Sequence, residues 1–306
     1  MTTTQHAEPR DPLSAFHVGG IEVSERSVRA EQVLCSRFAD HRGLIELPAL
    51  AVLFDHAGGI PFHQVHGDPA AATLQARLSL SVHGRAQVGD TLAARADVVM
   101  HDDAWGLTTV EIRTGAGELR CVGTARNVRV GRAPVGETPS GEIGMPPATC
   151  DATVALPEPI PADLTGREVV EEIATKVREP GPLAEMLNGT VEILDGASDR
   201  DAGVRFRVQT EPWMGNMFGT MHGGVIATIV GQAGSFAGHL HAGPGQDHSI
   251  GDMAIGFYRS PAVDGGEVTV EVAPIKTGRR ISSFEATMTS YDDLLLSRAT
   301  LDVHYH

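Results

Sequence analysis

The feature that most constrains this chain is that its plan is written twice. Two apolar segments rich in Gly and Ala, "ELPALAVLFDHAGGIPF" at 46–62 and "HGGVIATIVGQAGSFAG" at 222–238, superpose at an offset of 176 residues. That offset lays Ile229-Val230 over Leu53-Phe54 and Ala233-Gly234 over Ala57-Gly58, and Gly265 over Gly89 at the turn before a long strand-like run. An alternating strand pair precedes each segment: "GIEVSERSV" and "EQVLCSRF" in the first half, "GTVEIL" and "VRFRVQT" in the second. Four further strand-like runs follow each one, starting at "TLQARLSLSV" and at "MAIGFYR". One gap is expected, to keep the strands before the two glycine turns in phase. The chain therefore reads as two copies of one α+β unit, a long helix with about five or six mostly antiparallel strands. Gly costs roughly 1 kcal/mol against Ala inside a helix, so helices this rich in glycine are tolerable where they lie tight against a sheet that wraps them.

The stretch 131–165 carries many Pro, Gly, Ser and Thr residues without a helical period, and it reads as a surface linker. The expected organisation is a flexible tail over 1–17, one unit over 18–132, a linker over 133–165 and a second unit over 166–306. The N-terminal "MTTTQHAEPRDP" lacks the basic and apolar regions of a signal peptide. No run approaches the roughly 18–20 apolar residues of a membrane span. A formal net charge of −15 without a basic stripe argues against nucleic acid and anionic membranes as partners. Cys35, Cys121 and Cys150 are scattered, with no CxxC. They are expected to be reduced core residues of a cytoplasmic protein, not a disulfide framework or a zinc site. The histidines outside the repeated segments, among them His239, His241 and His248, lack carboxylates at metal spacing, so no metal site is expected. No GxGxxG or P-loop run suggests nucleotide binding through those motifs.

The second repeated segment opens with a Gly- and Asn-rich loop, "MGNMFGTMHGG" at 214–224. A helix N-terminus presents unsatisfied N–H groups and the positive end of the helix dipole, which suit it to polarising a carbonyl. Gly223, with no side chain, lets such a carbonyl approach closely. Yet no carboxylate follows on that helix, only Gly231 and Gln232. Asn216, "GTMHGG" at 219–224, the helix, "GDMAIGFYRSPA" at 251–262 and "KTGRRISSFEATM" at 276–288 together resemble the hotdog-fold acyl-CoA thioesterases of the phenylacetate-degradation (PaaI-like) group, over roughly 182–304. The first half resembles the same fold more faintly, through helix 46–62 and "LSLSVHGRAQVGDTLAARADVV". The whole chain therefore looks like a double hotdog.

The resemblance implies an acyl-CoA thioester substrate, with CoA part of the substrate and no separate cofactor. It also implies sites shared between two hotdog units: one unit offers the start of its helix, the other a carboxylate nine residues after its own His position. In this chain that carboxylate position is Gly231 in the second half and Asp55 in the first. The His-Gly position is His222-Gly223 in the second half and Glu46-Leu47 in the first, and the Asn position is Asn216 against Asp40. Each half has lost a different part, so the expected result is one complete composite site and one dead one. Asp55 would act as general base or, alternatively, as nucleophile. Gly223 would polarise the carbonyl, Asn216 would orient the thioester or hold the water, and His222 would bond the loop or the substrate. Thr73 falls where the family carries a hydroxyl beside the attacking water. Gly224, Arg259, Lys276, Arg279 and Arg280 are candidates for substrate binding. His56, adjacent to Asp55 and so about 100° away around the helix, is read as structural. By analogy with single-hotdog relatives, a homo-oligomer of two double hotdogs is expected. Two other readings stay open: a non-catalytic acyl-CoA or small-ligand binder, and an acyl-thioester hydratase or dehydratase, whose Asp-x-x-x-x-His run is not visible on either helix.

Overall fold

The computed structural model describes residues 9–65, 72–131, 150 and 154–306. The first half contains α1 (Pro12–Ala15), β1 (Val18–Val23), β2 (Ser27–Val33), α2 (Ala51–Gln64), β3 (Ala72–Val82), β4 (Thr91–His101), β5 (Trp105–Thr114) and β6 (Leu119–Val130). The second contains α3 (Gly166–Ala174), α4 (Pro182–Met186), β7 (Gly189–Leu194), β8 (Gly203–Gln209), α5 (Gly223–Leu240), β9 (His248–Phe257), β10 (Glu267–Lys276), β11 (Ile281–Ser290) and β12 (Leu295–Tyr305). Alternation decides the strand faces. In β4, Leu92, Ala94, Ala96 and Val98 are buried while Thr91, Ala93 and Arg95 face out; in β10, Val268, Val270 and Val272 are buried in the same rhythm.

The strands join into one twelve-stranded sheet, in the order β1-β2-β4-β5-β6-β3-β9-β12-β11-β10-β8-β7. The order reads the same from both edges once each strand is replaced by its twin. The halves meet at the antiparallel β3–β9 seam, where Leu78 pairs with Ile255 and Ser79 with Ala254. The offset of 176 that superposes the helices carries Ser27 to Gly203, Thr91 to Glu267, Trp105 to Ile281 and Leu119 to Leu295 at the strand starts. The expected gap is therefore not needed: the two halves stay in one frame from β2 to β6 and from β8 to β12.

The glycines in the two helices allow the close approaches expected of them. A Cβ on Gly58 would come within 2.7 Å of Ala125 on β6, and one on Gly234 within 2.5 Å of Leu301, the twin position on β12. Where α2 and α5 meet, a Cβ on Gly224 would fall 2.6 Å from Val52 Cα. Phe54, Phe62, Phe206, Phe236 and Phe284 fill the space between helices and sheet.

Three expectations are corrected. The first-half helix opens as a tight 3-10 turn, Leu47–Leu50, before the α-helix proper. Residues 11–17 are not a loose tail: Asp11 and Ser14 form a capping box on α1, and Leu13, Ala15 and Phe16 are buried. Residues 1–8, and 132–149 and 151–153 in and beside the expected linker, lie outside the described residues. Finally, Cys35 and Cys150 are joined by a disulfide, with only Cys121 left as a free, buried thiol. The spacing rules look for cysteines close in sequence or repeated in pattern, and a bridge between residues 115 apart has neither signature. α3, also unforeseen, did leave a signal, since Thr165 and Glu168 make a reciprocal capping box at its start.

Candidate active site

The loop before α5 is shaped by one side chain. Asn216 Oδ1 accepts from the backbone N–H groups of Phe218 (2.9 Å) and Thr220 (3.3 Å) and from the Thr220 hydroxyl, while its amide donates to the Met221 carbonyl. The Asn216 N–H donates to the Thr220 carbonyl, and Gly219 turns at a φ of 69°. Asn216 therefore builds the loop through Oδ1, while its amide makes one long bond, to Met221, and has a second N–H without a partner among the described residues. The loop delivers His222 as the N-cap of α5, with Nδ1 accepting from the Gly224 N–H at 3.1 Å. The Gly223 N–H, at the first helical position, has no hydrogen-bond partner among the described residues.

Asp55 comes to this helix start from the first half. Its Oδ2 accepts from the Gly224 N–H at 2.8 Å and lies 3.2 Å from His222 Nδ1. A Cβ on Gly223 would lie 2.9 Å from Asp55 Oδ1, so a side chain there would crowd the carboxylate. Asp55 is 1 % exposed, and its Oδ1 is buried with no protein partner among the described residues. Burial raises the Asp55 carboxyl to about 7 against the pull of the Gly224 N–H. Burial lowers His222 to about 3, helped by nearby His56. The contact has the spacing of an ion pair, but burial drives both groups toward their neutral forms. The Gly224 N–H is shared between the Asp55 carboxyl and His222 Nδ1 and holds the two together without separated charge. His56, read from the sequence as structural, has its ring 6.3 Å from that of His222, and burial lowers it to about 4. It borders the site because α2 crosses the start of α5, so residues on two adjacent faces of α2 are near it.

The hydroxyl of Thr73, at the start of β3 opposite Arg129, makes no hydrogen bond among the described residues. Two residues along the strand, Gln75 donates its amide to the Asp55 carbonyl at 2.8 Å and packs against Gly59. Gln75 is the residue of β3 that grips the helix here; period-two alternation from Thr73 points to it. Of the four expected cations, only Arg259 lies near the 216–222 loop: two residues on, the Pro261 carbonyl accepts from Met221 N–H, and Arg259 itself donates to the Leu295 carbonyl. Arg279 and Arg280 are tied to Gln246 and Tyr305 through their backbone carbonyls, near the far end of α5. At about 1.5 Å per residue, the 18 residues of α5 separate them from His222 by roughly the helix length. Lys276, at the end of β10, leads into the same turn. These three are not at the mouth of the Asp55 site.

The twin helix start is built on the same frame and blocked. Asp40 Oδ1 accepts from the N–H groups of Arg42 (2.8 Å) and Leu44 (3.1 Å), the twin positions of Phe218 and Thr220, and Gly43 turns at a φ of 78°. Glu46 takes the His222 place and receives Arg42, Arg85 and the Ile250 N–H. Leu47 and Pro48 take the places of Gly223 and Gly224, and Pro48 has no N–H to offer. Gly231 takes the Asp55 place, where a Cβ would sit 3.0 Å from Pro48 Cγ. A small cleft lies at this end, lined in part by Glu46, Arg85, Arg120 and Ser249, and not at Asp55.

Two hotdog units fused through a continuous sheet define the class: the chain is a double hotdog. Residues 218–297 match the sequence model of the Thioesterase superfamily, and that stretch includes the start of α5. Solved structures share the fold over nearly the whole chain. A hotdog-fold protein of unknown function from Alicyclobacillus acidocaldarius is similar at 13 % identity, with 96 % of this chain and 97 % of that one covered and a TM-score of 0.59. A putative thioesterase from Novosphingobium aromaticivorans is similar at 10 % identity, over 93 % and 98 % of the two chains, with a TM-score of 0.58. Acyl-CoA thioesterase II from Mycobacterium marinum is similar at 13 % identity, over 94 % of each chain, with a TM-score of 0.53. No curated protein matches the sequence. Among the described residues, no helix is long and apolar enough to cross a membrane.

Proposed function

We propose that this chain is an acyl-CoA thioesterase with one composite site, in which Asp55 of the first half works on a thioester held at the start of α5 in the second. The observation that carries the reading is the 2.8 Å bond from the Gly224 N–H to Asp55 Oδ2, across the two halves and beside the unpartnered Gly223 N–H. In its ionised form Asp55 takes a proton from water through Oδ1, and the water oxygen attacks the thioester carbon. The carbonyl oxygen becomes an oxyanion opposite the Gly223 N–H, where the helix dipole stabilises it. Collapse breaks the C–S bond, and the proton on Asp55 passes to the leaving sulfur. The products are a carboxylic acid and free CoA. His222 receives the Gly224 N–H and keeps the Asp55 proton local. Arg259 contacts the substrate at the mouth. The reading includes a cytoplasmic protein whose chains assemble as a dimer of double hotdogs.

The test is release of free thiol from short-chain, long-chain and aromatic acyl-CoAs. Release that is abolished in Asp55→Asn and in His222→Ala supports the reading; full activity in Asp55→Asn overturns it. Binding without turnover across the panel would instead identify an acyl-CoA binder, and loss of enoyl absorbance without thiol release a hydratase.

A further inference from the structure

Away from the thioester site, three soft ligands converge from distant parts of the chain. Cys35 ends the loop after β2, next to the 3-10 turn Ser36–Phe38, and is 2 % exposed. Cys150 comes from the segment between the two halves and is exposed. His17 precedes β1 and is nearly buried, with Nδ1 3.2 Å from Cys35 Sγ and its ring edge-on to Phe38. The two sulfurs and a ring nitrogen all lie within 4.8 Å of one another. His17 sits at a φ of 54°, a conformation uncommon for residues other than glycine. The fold thus holds the imidazole against the sulfurs in a backbone geometry that costs energy.

We propose that His17, Cys35 and Cys150 form a binding site for a thiophilic divalent cation in the reduced protein, and that the Cys35–Cys150 disulfide is the closed, oxidised form of that site. Two thiolates and one imidazole are a soft donor set suited to Zn2+, and three protein ligands leave a fourth position open. The two forms exclude each other, since sulfurs bonded to one another cannot act as thiolates. A dithiol supplies two electrons and two protons and becomes a disulfide, or a phosphine supplies two electrons and takes the oxygen of a water whose two protons go to the sulfurs; either opens the protein disulfide to two thiols. Binding of the cation then forms two S–metal bonds and one N–metal bond and releases the two thiol protons. The site departs from the sequence expectation of no metal centre, because its ligands are far apart in sequence and meet only in the fold. It does not depend on the thioesterase reading. Cys121 is the internal control: it is buried away from the cluster, with its thiol raised to about 12 by burial.

The experiment uses the full chain, reduced with a phosphine that is then removed, and titrated with Co2+ as the spectroscopic probe. The expected result is one Co2+ per reduced chain with a thiolate-to-cobalt charge-transfer band that Zn2+ displaces, and no uptake by the oxidised chain. Cys35→Ser and Cys150→Ser should each lose the band. His17→Asn, whose side chain tolerates the same backbone conformation, should keep the band and bind about tenfold or more weakly. Cys121→Ala should behave as the parent. Reduced parent protein without the band, unchanged affinity in Cys150→Ser, or a band lost in Cys121→Ala would each overturn the proposal.

Discussion

The two helix starts are the same piece of architecture with opposite contents. In each, an Asx side chain ties down the loop through the same two backbone N–H groups, a glycine turns the chain, and the helix begins at the same place against its twin. What differs is what meets the first turn. At α5 it is a carboxylate from the other half, received by a glycine N–H; at the twin it is a proline ring packed on a glycine, ringed by ion pairs. Side chains present at both ends therefore serve the loop, and those present at one end are candidates for chemistry. By this rule Asn216 Oδ1, whose bonds Asp40 repeats, serves the loop, while Asp55, His222 and Gly223 are the candidates.

The comparison can be broken in five ways. The largest effect is expected for Asp55→Asn, which should lower thioester hydrolysis by about 10²–10⁴-fold, the usual contribution of a general base; thiol release under substrate saturation measures it. The same variant should become more stable at alkaline pH. Because burial raises Asp55 in the folded chain to about 7, the carboxyl's stabilising share is full below its unfolded value near 4 and is lost as pH rises through 7. Asp55→Asn should thus unfold at higher denaturant above pH 8, by up to about 4 kcal/mol, with the gap closing below pH 4. Activity should show the mirror limb, rising with pH to a plateau above 7.

Installing an acid at the dead end should fail. Gly231→Asp pushes a carboxylate against Pro48 where no N–H receives it, and should destabilise by about 2–4 kcal/mol in urea unfolding without adding activity. Adding Pro48→Gly should recover part of that loss. Fourth, Asp40→Asn keeps the loop bonds but leaves Arg42 buried with one carboxylate fewer, at a cost of about 2–3 kcal/mol. Asn216→Asp, which keeps the bonds that Oδ1 accepts and loses only the long amide bond to the Met221 carbonyl, should cost about 1 kcal/mol by the same measurement. The smallest contrast is in binding: Arg259→Ala should raise KM by a few-fold at most, and Arg279→Ala with Arg280→Ala should leave it unchanged, because that turn sits at the far end of α5.

Much of this was legible before any coordinates. The offset between the two glycine-rich helices gave the duplication, and the resemblance to hotdog thioesterases pointed to Asp55 meeting the His222 loop across the halves, a contact the fold contains. The offset also contained Pro48 opposite Gly224, which needs only the same frame to be seen. What pattern could not reach was direction. Arg279 and Arg280 lie in the right family motif but at the wrong end of the helix, since a motif does not say which way a strand runs past the site. Asn216 was legible as a site candidate but not as a loop builder, because an amide serves a loop and a substrate equally well and only its hydrogen bonds show the first role. The His17–Cys35–Cys150 cluster was hidden because its members are far apart in sequence and share no period.

The β3–β9 seam has a further consequence. A symmetric dimer must repeat every contact, so a residue useful at one end of its interface is imposed on the other. Here Arg42 reaches across to Asp247 and His248, while its counterpart in the second half is Phe218. Fusing the halves lets one end hold a buried cluster of ion pairs while the other holds the buried Asp55 carboxyl against a helix start. The protein therefore has a front and a back that a pair of identical subunits could not have, and each can change without altering its twin.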